Sequence, residues 1–270
     1  MSALPPEQLI DKGCGPAILF LHHFGGSGRS WSRVIDRLVE RHRCIAPDLP
    51  GFGAAGDWKG SFTIAAMADR INGLIARLGL ADYRIAGHSM GGKIALAMAA
   101  RRPPGLRGLI LIAPSPPTPE PIPEAERARL IASWGDRGAM AAIVEKISVR
   151  PLSLAERGEQ VDDMLATSQA AWEAWLRHGS REDISASLPK ISVPMTIVAG
   201  GADQTITPAL LRRELLERVP TATMSIIPGA GHLLPMEAPD GLGEIILRAN
   251  RTSAAEADWE RTDGRRDPET

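Results

Sequence analysis

The sequence predicts an α/β protein: a mostly parallel sheet with helices on both faces, interrupted by an all-helical insertion. Three observations predict it. Short, wholly apolar runs alternate with helically spaced segments in the first 117 residues. The strand pattern is absent between about 118 and 188, and it resumes after Pro189. The expected division is a sheet domain made from 1–117 and 189–250, a helical insert over 118–188, and a disordered tail over 251–270 that is charged and poor in apolar residues.

The elements follow in order. AILFL (17–21) reads as a buried strand, and WSRVIDRLVERH (31–42) has helical spacing. RCIAPDLPGFG (43–53) is a strand running into a Pro/Gly turn. Residues 63–79 form a helix with Gly79 as its stop, and 83–87 a strand. Residues 90–102 form an Ala/Gly-rich helix that Pro103 and Pro104 end, and 106–114 another strand. In the insert, Ser153 and Glu156 have capping-box spacing. Trp172 and Trp175 share one helix face, with His178 in the next turn. Strands at 193–200 and 223–229 and helices at 208–220 and 239–250 complete the pattern. There are no repeats of solenoid or propeller period.

Composition narrows the function class. With 44% hydrophobic and 23% charged residues and a net charge of -1, the chain reads as an ordinary soluble globular protein. That balance gives no argument for a nucleic-acid or membrane partner. No apolar run reaches membrane-spanning length, and the N-terminus has no signal-like core. Two cysteines, Cys14 and Cys44, without an export signal lead to the expectation of a reduced, cytoplasmic protein without disulfides.

The chemistry concentrates in AGHSMGG (86–92), where Gly87, Ser89 and Gly91 spell G-x-S-x-G between a strand and a helix. A serine on such a turn is held in a strained conformation with its hydroxyl presented at the sheet edge, and a Cβ at either glycine would crowd neighbouring backbone. A neutral serine needs a base, and the base an orienting acid. Asp203 follows the strand at 193–200, and His232 follows the strand at 223–229. The alternative acid position, after the strand at 106–112, holds Ala113, Pro114 and Ser115, with no carboxylate.

LHHFGGSGRSW, APDLPGFG, GHSMGG, GGADQTITP and GAGH, in that order, resemble the α/β-hydrolase fold superfamily from Gly13 to about Asn250. The family usually opens with a hairpin. Here only about 16 residues precede AILFL, so one short leading strand or two abbreviated ones are expected. The resemblance implies an oxyanion hole made by the backbone N–H groups of Phe24 and Met90. It also implies that the insert is a cap lining the substrate pocket. Trp134, Met140, Met164, Trp172 and Trp175 are the large apolar candidates there, although such residues also pack helices together. No Arg or Lys cluster marks an anion clamp, which favours a neutral substrate.

The remaining polar residues have plainer readings. Relatives commonly have His-Gly where this chain has His22-His23. Adjacent residues of an extended segment point apart, and no HxH, HExxH or Cys cluster is present, so no metal is expected. His22 is expected to brace the loop through nearby backbone. His23 is expected to be mainly structural, with its ring a pocket candidate at the site's mouth. His88 is expected to pack near the sheet edge, and Asp48 to bond its own loop. His42, His178 and Lys93 are read as surface, cap and helix residues respectively. The expected activity is serine hydrolysis of a small, largely apolar carboxylic ester or lactone, without a cofactor. The alternatives are C–C bond hydrolysis of ring-fission products, cofactor-free perhydrolase or haloperoxidase chemistry, and a hydrolase-fold small-molecule receptor.

Overall fold

The computed structural model describes residues 9–250; the expected tail at 251–270 lies outside them. Seven strands form one sheet: β1 Leu9–Lys12, β2 Ala17–Leu21, β3 Arg43–Pro47, β4 Tyr83–His88, β5 Leu106–Ile112, β6 Met195–Gly200 and β7 Ala222–Ile227. Their spatial order is β1-β3-β2-β4-β5-β6-β7. All pairs are parallel except β1 with β3, which is antiparallel. A single short leading strand therefore precedes β2 among the described residues, one of the two expected forms.

The helices are α1 Ser32–Ile35, α2 Ile64–Arg77, α3 Met90–Ala99, α4 Glu124–Ala132, α5 Arg137–Ile147, α6 Leu154–Ala166, α7 Gln169–Arg177, α8 Pro208–Leu211, α9 Leu234–Glu237 and α10 over 239–250. The helix expected at 31–42 is shorter than its spacing predicts. It starts as a 3-10 turn at Gly28–Trp31, and i→i+3 bonds from Arg37 and Leu38 tighten it after Ile35. It still buries Val34, Ile35 and Leu38. The stretch 43–53 is a strand to Pro47 followed by the Pro/Gly turn, which Asp48 organises, as its sequence predicts. The expected capping box at Ser153 and Glu156 is formed at the start of α6.

Alternation along the strands builds two cores. Leu19, Leu21, Ile85, Leu109, Leu111 and Ile197 face α2, α3 and the insert. Ile18, Phe20, Ala86, Ile110, Ile112 and Val198 face α1 and α10. A parallel strand buried on both faces reads as a continuous apolar run, which is why β2 is AILFL. From β2 the chain adds β3 on one side, with α1 on one face. From β4 it adds β5 on the other side, with α3 on the opposite face. The strand order therefore reverses between β2 and β4, and such reversals open a crevice at the carboxyl ends of the strands. Between β5 and β6 the chain inserts α4 to α7. Among the described residues, no helix is long and apolar enough to cross a membrane.

Two residues read as plain sit deeper than that. His42 is buried, and its ring nitrogen accepts a bond from the Asn250 amide at 3.2 Å. Lys93 lies on α3 as expected, but its side chain is fully buried and its ammonium donates to the Thr118 carbonyl at 3.2 Å. Burial pushes the Lys93 ammonium down to about 8, against the pull of Glu120, Glu182 and Asp183. An unfolded lysine titrates near 10.4, so between about pH 8 and 10.4 the unfolded chain binds more protons and this group raises stability as pH rises. Lys93→Met should therefore be at least as stable as the wild type at pH 7. The wild type should gain on it between pH 7 and 9.5 in urea titrations; equal differences at both pH values would refute the assignment.

Candidate active site

The crevice between β2 and β4 holds the two loops that sequence reading singled out. Ser89 follows β4 with φ 51 and ψ -115, a left-handed conformation rare for a residue with a side chain. The close packing behind it excludes side chains. A Cβ on Gly91 would lie 2.3 Å from the Leu21 carbonyl oxygen and 2.7 Å from that of His22. A Cβ on Gly87 would lie 2.6 Å from the Gly91 oxygen. α3 can therefore leave the turn hard against the end of β2 only with glycine at both places.

Three residues from separate strand ends meet in a hydrogen-bonded series. His232 Nε2 is 3.0 Å from Ser89 Oγ, and its Nδ1 is 2.8 Å from Asp203 Oδ2. Asp203 Oδ1 accepts the N–H groups of Thr205 (2.7 Å) and Ile206 (3.0 Å), which fixes its carboxylate plane. Burial pulls the His232 imidazole down, but the charge and hydrogen bond of Asp203 outweigh it, with Glu120 and Glu237 adding to the pull, and its pKa is raised.

Glu237 was not singled out by sequence reasoning, yet it shapes the histidine loop. Its carboxylate accepts four backbone N–H groups: Gly231 (2.8 Å), Leu233 (2.9 Å), Val149 (3.0 Å) and Arg150 (2.8 Å). The first two flank His232, and the last two begin the α5–α6 connection. The His232 N–H itself donates to the Ile147 carbonyl at the end of α5 at 2.9 Å. His88 Nε2 donates to the His232 carbonyl at 2.8 Å, so His88 braces the loop from below. It carries no alignment with Ser89 and matches its expected place at the sheet edge.

The histidine pair after β2 divides its work. His22 Nδ1 donates to the His23 carbonyl (2.7 Å), and its Nε2 accepts the Leu49 N–H (2.9 Å). Both bonds are to nearby backbone, as expected. Asp48 accepts from Ala54 in its own loop (2.8 Å) and also from Gly28 (2.7 Å), so it ties two loops together. His23 is 3% exposed, its ring 4.8 Å from that of His88, and it lines the cavity above Ser89.

That cavity has a volume of about 260 Å³. Its floor includes Ser89, His232, His23 and Phe24, and its walls include Met164, Trp172, Trp175, Ile143 and Leu130. Three of the five apolar candidates from the insert thus line it. Met140 does not: it is fully buried in the core beneath the insert. Trp134 does not either: it is 37% exposed, and its indole N–H is tied to the Thr167 carbonyl at 2.9 Å. Helical spacing alone could not separate a side chain packed between helices from one facing the cavity. Met90 begins α3, so its N–H is one of the donors a helix start leaves free, but its side chain packs into the core and not the cavity wall. His178 is exposed at the end of α7, away from the cavity lining.

Polar groups that the sequence did not announce also line the cavity: Glu120, Gln160, and a rim of Glu126, Arg129 and Lys146. The expectation that no Arg or Lys cluster marks the pocket is therefore corrected, since two cations stand together at its rim. Arg129 and Lys146 come from different helices and only folding brings them together. Both are held by the Glu126 carboxylate at 2.7–2.8 Å, and their hydrogen bonds bring its pKa down to about 2. Burial raises the Glu120 carboxyl, opposed by the Ser115 hydroxyl and the Lys93 charge. Among the described residues, no group of three or more His, Cys, Asp or Glu is placed to hold a metal ion.

The fold, the turn at Ser89 and the order of the three strand-end residues define a hydrolase of the α/β class. The chain belongs to the alpha/beta hydrolase family, whose model matches residues 18–245. It is 30% identical to the magnesium-chelatase 30 kDa subunit of Rhodobacter capsulatus, over 88% of this chain and 89% of that one. Among solved structures, a thermophilic esterase from Thermogutta terrifontis is 28% identical with a TM-score of 0.74, over 91% of this chain and 93% of that one. An esterase from Exiguobacterium antarcticum has a TM-score of 0.83 at 21% identity, over 89% and 93% of the two chains.

Removing the Glu237 carboxylate leaves four backbone donors without their acceptor. Glu237→Ala should cost about 3 kcal/mol or more in urea unfolding, and Glu237→Gln, which keeps one acceptor oxygen, clearly less. A loss below about 1 kcal/mol for the alanine variant would show that water replaces the carboxylate without penalty.

Proposed function

We propose that the protein is a serine hydrolase of carboxylic esters or lactones that works through an acyl-enzyme. The observation that carries this reading is the unbroken Asp203–His232–Ser89 series at the floor of a largely apolar cavity. Ser89 Oγ attacks the carbonyl carbon while His232 Nε2 takes its proton. His232 then gives that proton to the leaving alcohol, and Asp203 keeps the imidazole in the Nδ1–H tautomer and stabilises its charged form. The Phe24 and Met90 N–H groups bind the oxygen that becomes negative. Water, deprotonated by His232, releases the acid. The insert acts as the cap, and Met164, Trp172, Trp175 and Phe24 receive the apolar part of the substrate. The Thermogutta esterase, similar across 93% of its own length, supports ester chemistry.

A second reading has one observation in its favour. Hydrolysis of a C–C bond in a vinylogous diketone uses the same residues and holds a substrate carboxylate with polar cap residues, a place that Arg129 and Lys146 occupy. Faster turnover of a ring-fission product than of p-nitrophenyl acetate selects that reading.

Ser89→Ala should abolish covalent labelling by a fluorophosphonate; labelling that persists at another serine would sink the assignment. His232 acts as a base only when neutral, and Asp203 raises its pKa above the ordinary 6.5. The acid limb of kcat/KM should therefore have its midpoint above pH 6.5. An acid limb at or below the ordinary histidine value would contradict the role given to His232.

A further inference from the structure

The cavity contains polar atoms that neither the proposed reaction nor the fold uses. His23 is 3% exposed and Gln160 2% exposed, and both line the cavity over Ser89. Neither ring nitrogen of His23 has a hydrogen-bond partner, and nor does the Gln160 side-chain oxygen. The two side chains lie close enough for the Gln160 amide to act on the imidazole as a hydrogen-bonding neighbour, but without the distance and angle of a formed bond, so those atoms stay open. Buried polar groups without partners are rare, because each costs about 1–3 kcal/mol. A cluster of them beside a nucleophile marks a place for a ligand's polar group.

The chemistry of that group follows from the donors and acceptors. The Gln160 amide nitrogen donates to the Gly25 carbonyl at 3.0 Å, so its orientation is set and its oxygen can only accept. Burial, with His22 and His232 nearby, holds His23 well below the ordinary histidine range, so its ring is neutral and offers one N–H. The matching partner donates one hydrogen bond and accepts another from a single atom. We propose that His23 and Gln160 form a subsite for a hydroxyl group of the substrate, beside the carbonyl that Ser89 attacks. The hydroxyl donates to Gln160 Oε1 and accepts from the His23 ring N–H. This deepens the ester-hydrolase reading of Ser89 and rests on it. It also gives the imidazole at position 23 a task that glycine cannot perform.

The test measures binding and labelling separately. Ser89→Ala protein is titrated calorimetrically with methyl octanoate against its 2-hydroxy and 3-hydroxy forms, and with propyl octanoate against 2-hydroxyethyl octanoate. At least one hydroxylated ester should bind about tenfold tighter than its counterpart. The advantage should vanish when Gln160→Met or His23→Leu is added, and kcat/KM of the wild type should show the same preference. Equal binding within every pair overturns the subsite and leaves ordered water as the filler of those atoms. An advantage that survives both added substitutions overturns it as well. Fluorophosphonate labelling of the wild type separates the two claims. Labelling without hydroxyl preference overturns the subsite alone, and hydroxyl preference without labelling overturns the hydrolase reading alone.

Discussion

The contact between Gly91 and the end of β2 is the constraint on which the site depends. β2 and β4 are neighbours in register, with Leu21 opposite Gly87. α3 must leave β4 directly beneath the loop that leaves β2, and a Cβ at position 91 would lie 2.3 Å from a carbonyl oxygen of that strand. The approach puts the free N–H groups at the start of α3 beside the His22–Phe24 loop. It also holds Ser89 at a positive φ, a conformation that costs about 1–3 kcal/mol and persists only because the surrounding structure determines it. Two buried cores, one on each face of the sheet, supply that determination.

The insert is joined to both loops that build the site. On one side, Glu237 and the Ile147 carbonyl join the His232 loop to the end of α5. On the other, Gln160 donates to Gly25, and Arg29 pairs with Asp163 of α6 at 2.8 Å. Burial raises the Asp163 carboxyl to about 6 despite that arginine, so this join pairs a buried carboxylate with a half-exposed guanidinium. These contacts bear on the backbone that carries His232 and on the loop that follows β2, rather than on the rim alone. Position of the insert and geometry of the site are thus mechanically linked, with the apolar wall of Trp172 and Trp175 facing Phe24 between them.

Much of this was legible in the sequence because the signals are local. Apolar runs placed β2, β4, β5 and β6, a capping box placed α6, and the Gly-x-Ser-x-Gly turn with two later strand ends named Ser89, Asp203 and His232. His22 and Asp48 were legible as loop braces through their local partners, His23 and Ala54, whereas their second partners, Leu49 and Gly28, come from the other loop and only folding brings them near. What failed did so at long range. Met140 and Met164 both sit on helices of the insert, yet one is core and the other wall. Lys93 looked like an ordinary helix residue, yet it is buried and its ammonium is met by the Thr118 carbonyl, beyond a whole strand.

The sequence by itself determined the fold class, the order of elements and the three residues at the strand ends. Hydrophobic period, turn chemistry and strand-end position are properties of a few consecutive residues. Only the tertiary structure decided which insert side chains face the cavity, that Glu237 gathers four N–H groups from two segments, and that His23 and Gln160, 137 positions apart by their numbers, meet with unpartnered atoms over Ser89. The physical reason is that helical spacing specifies a buried face but not what that face is buried against. A hydrogen bond left open inside a protein can be recognised only when every group around it has been placed.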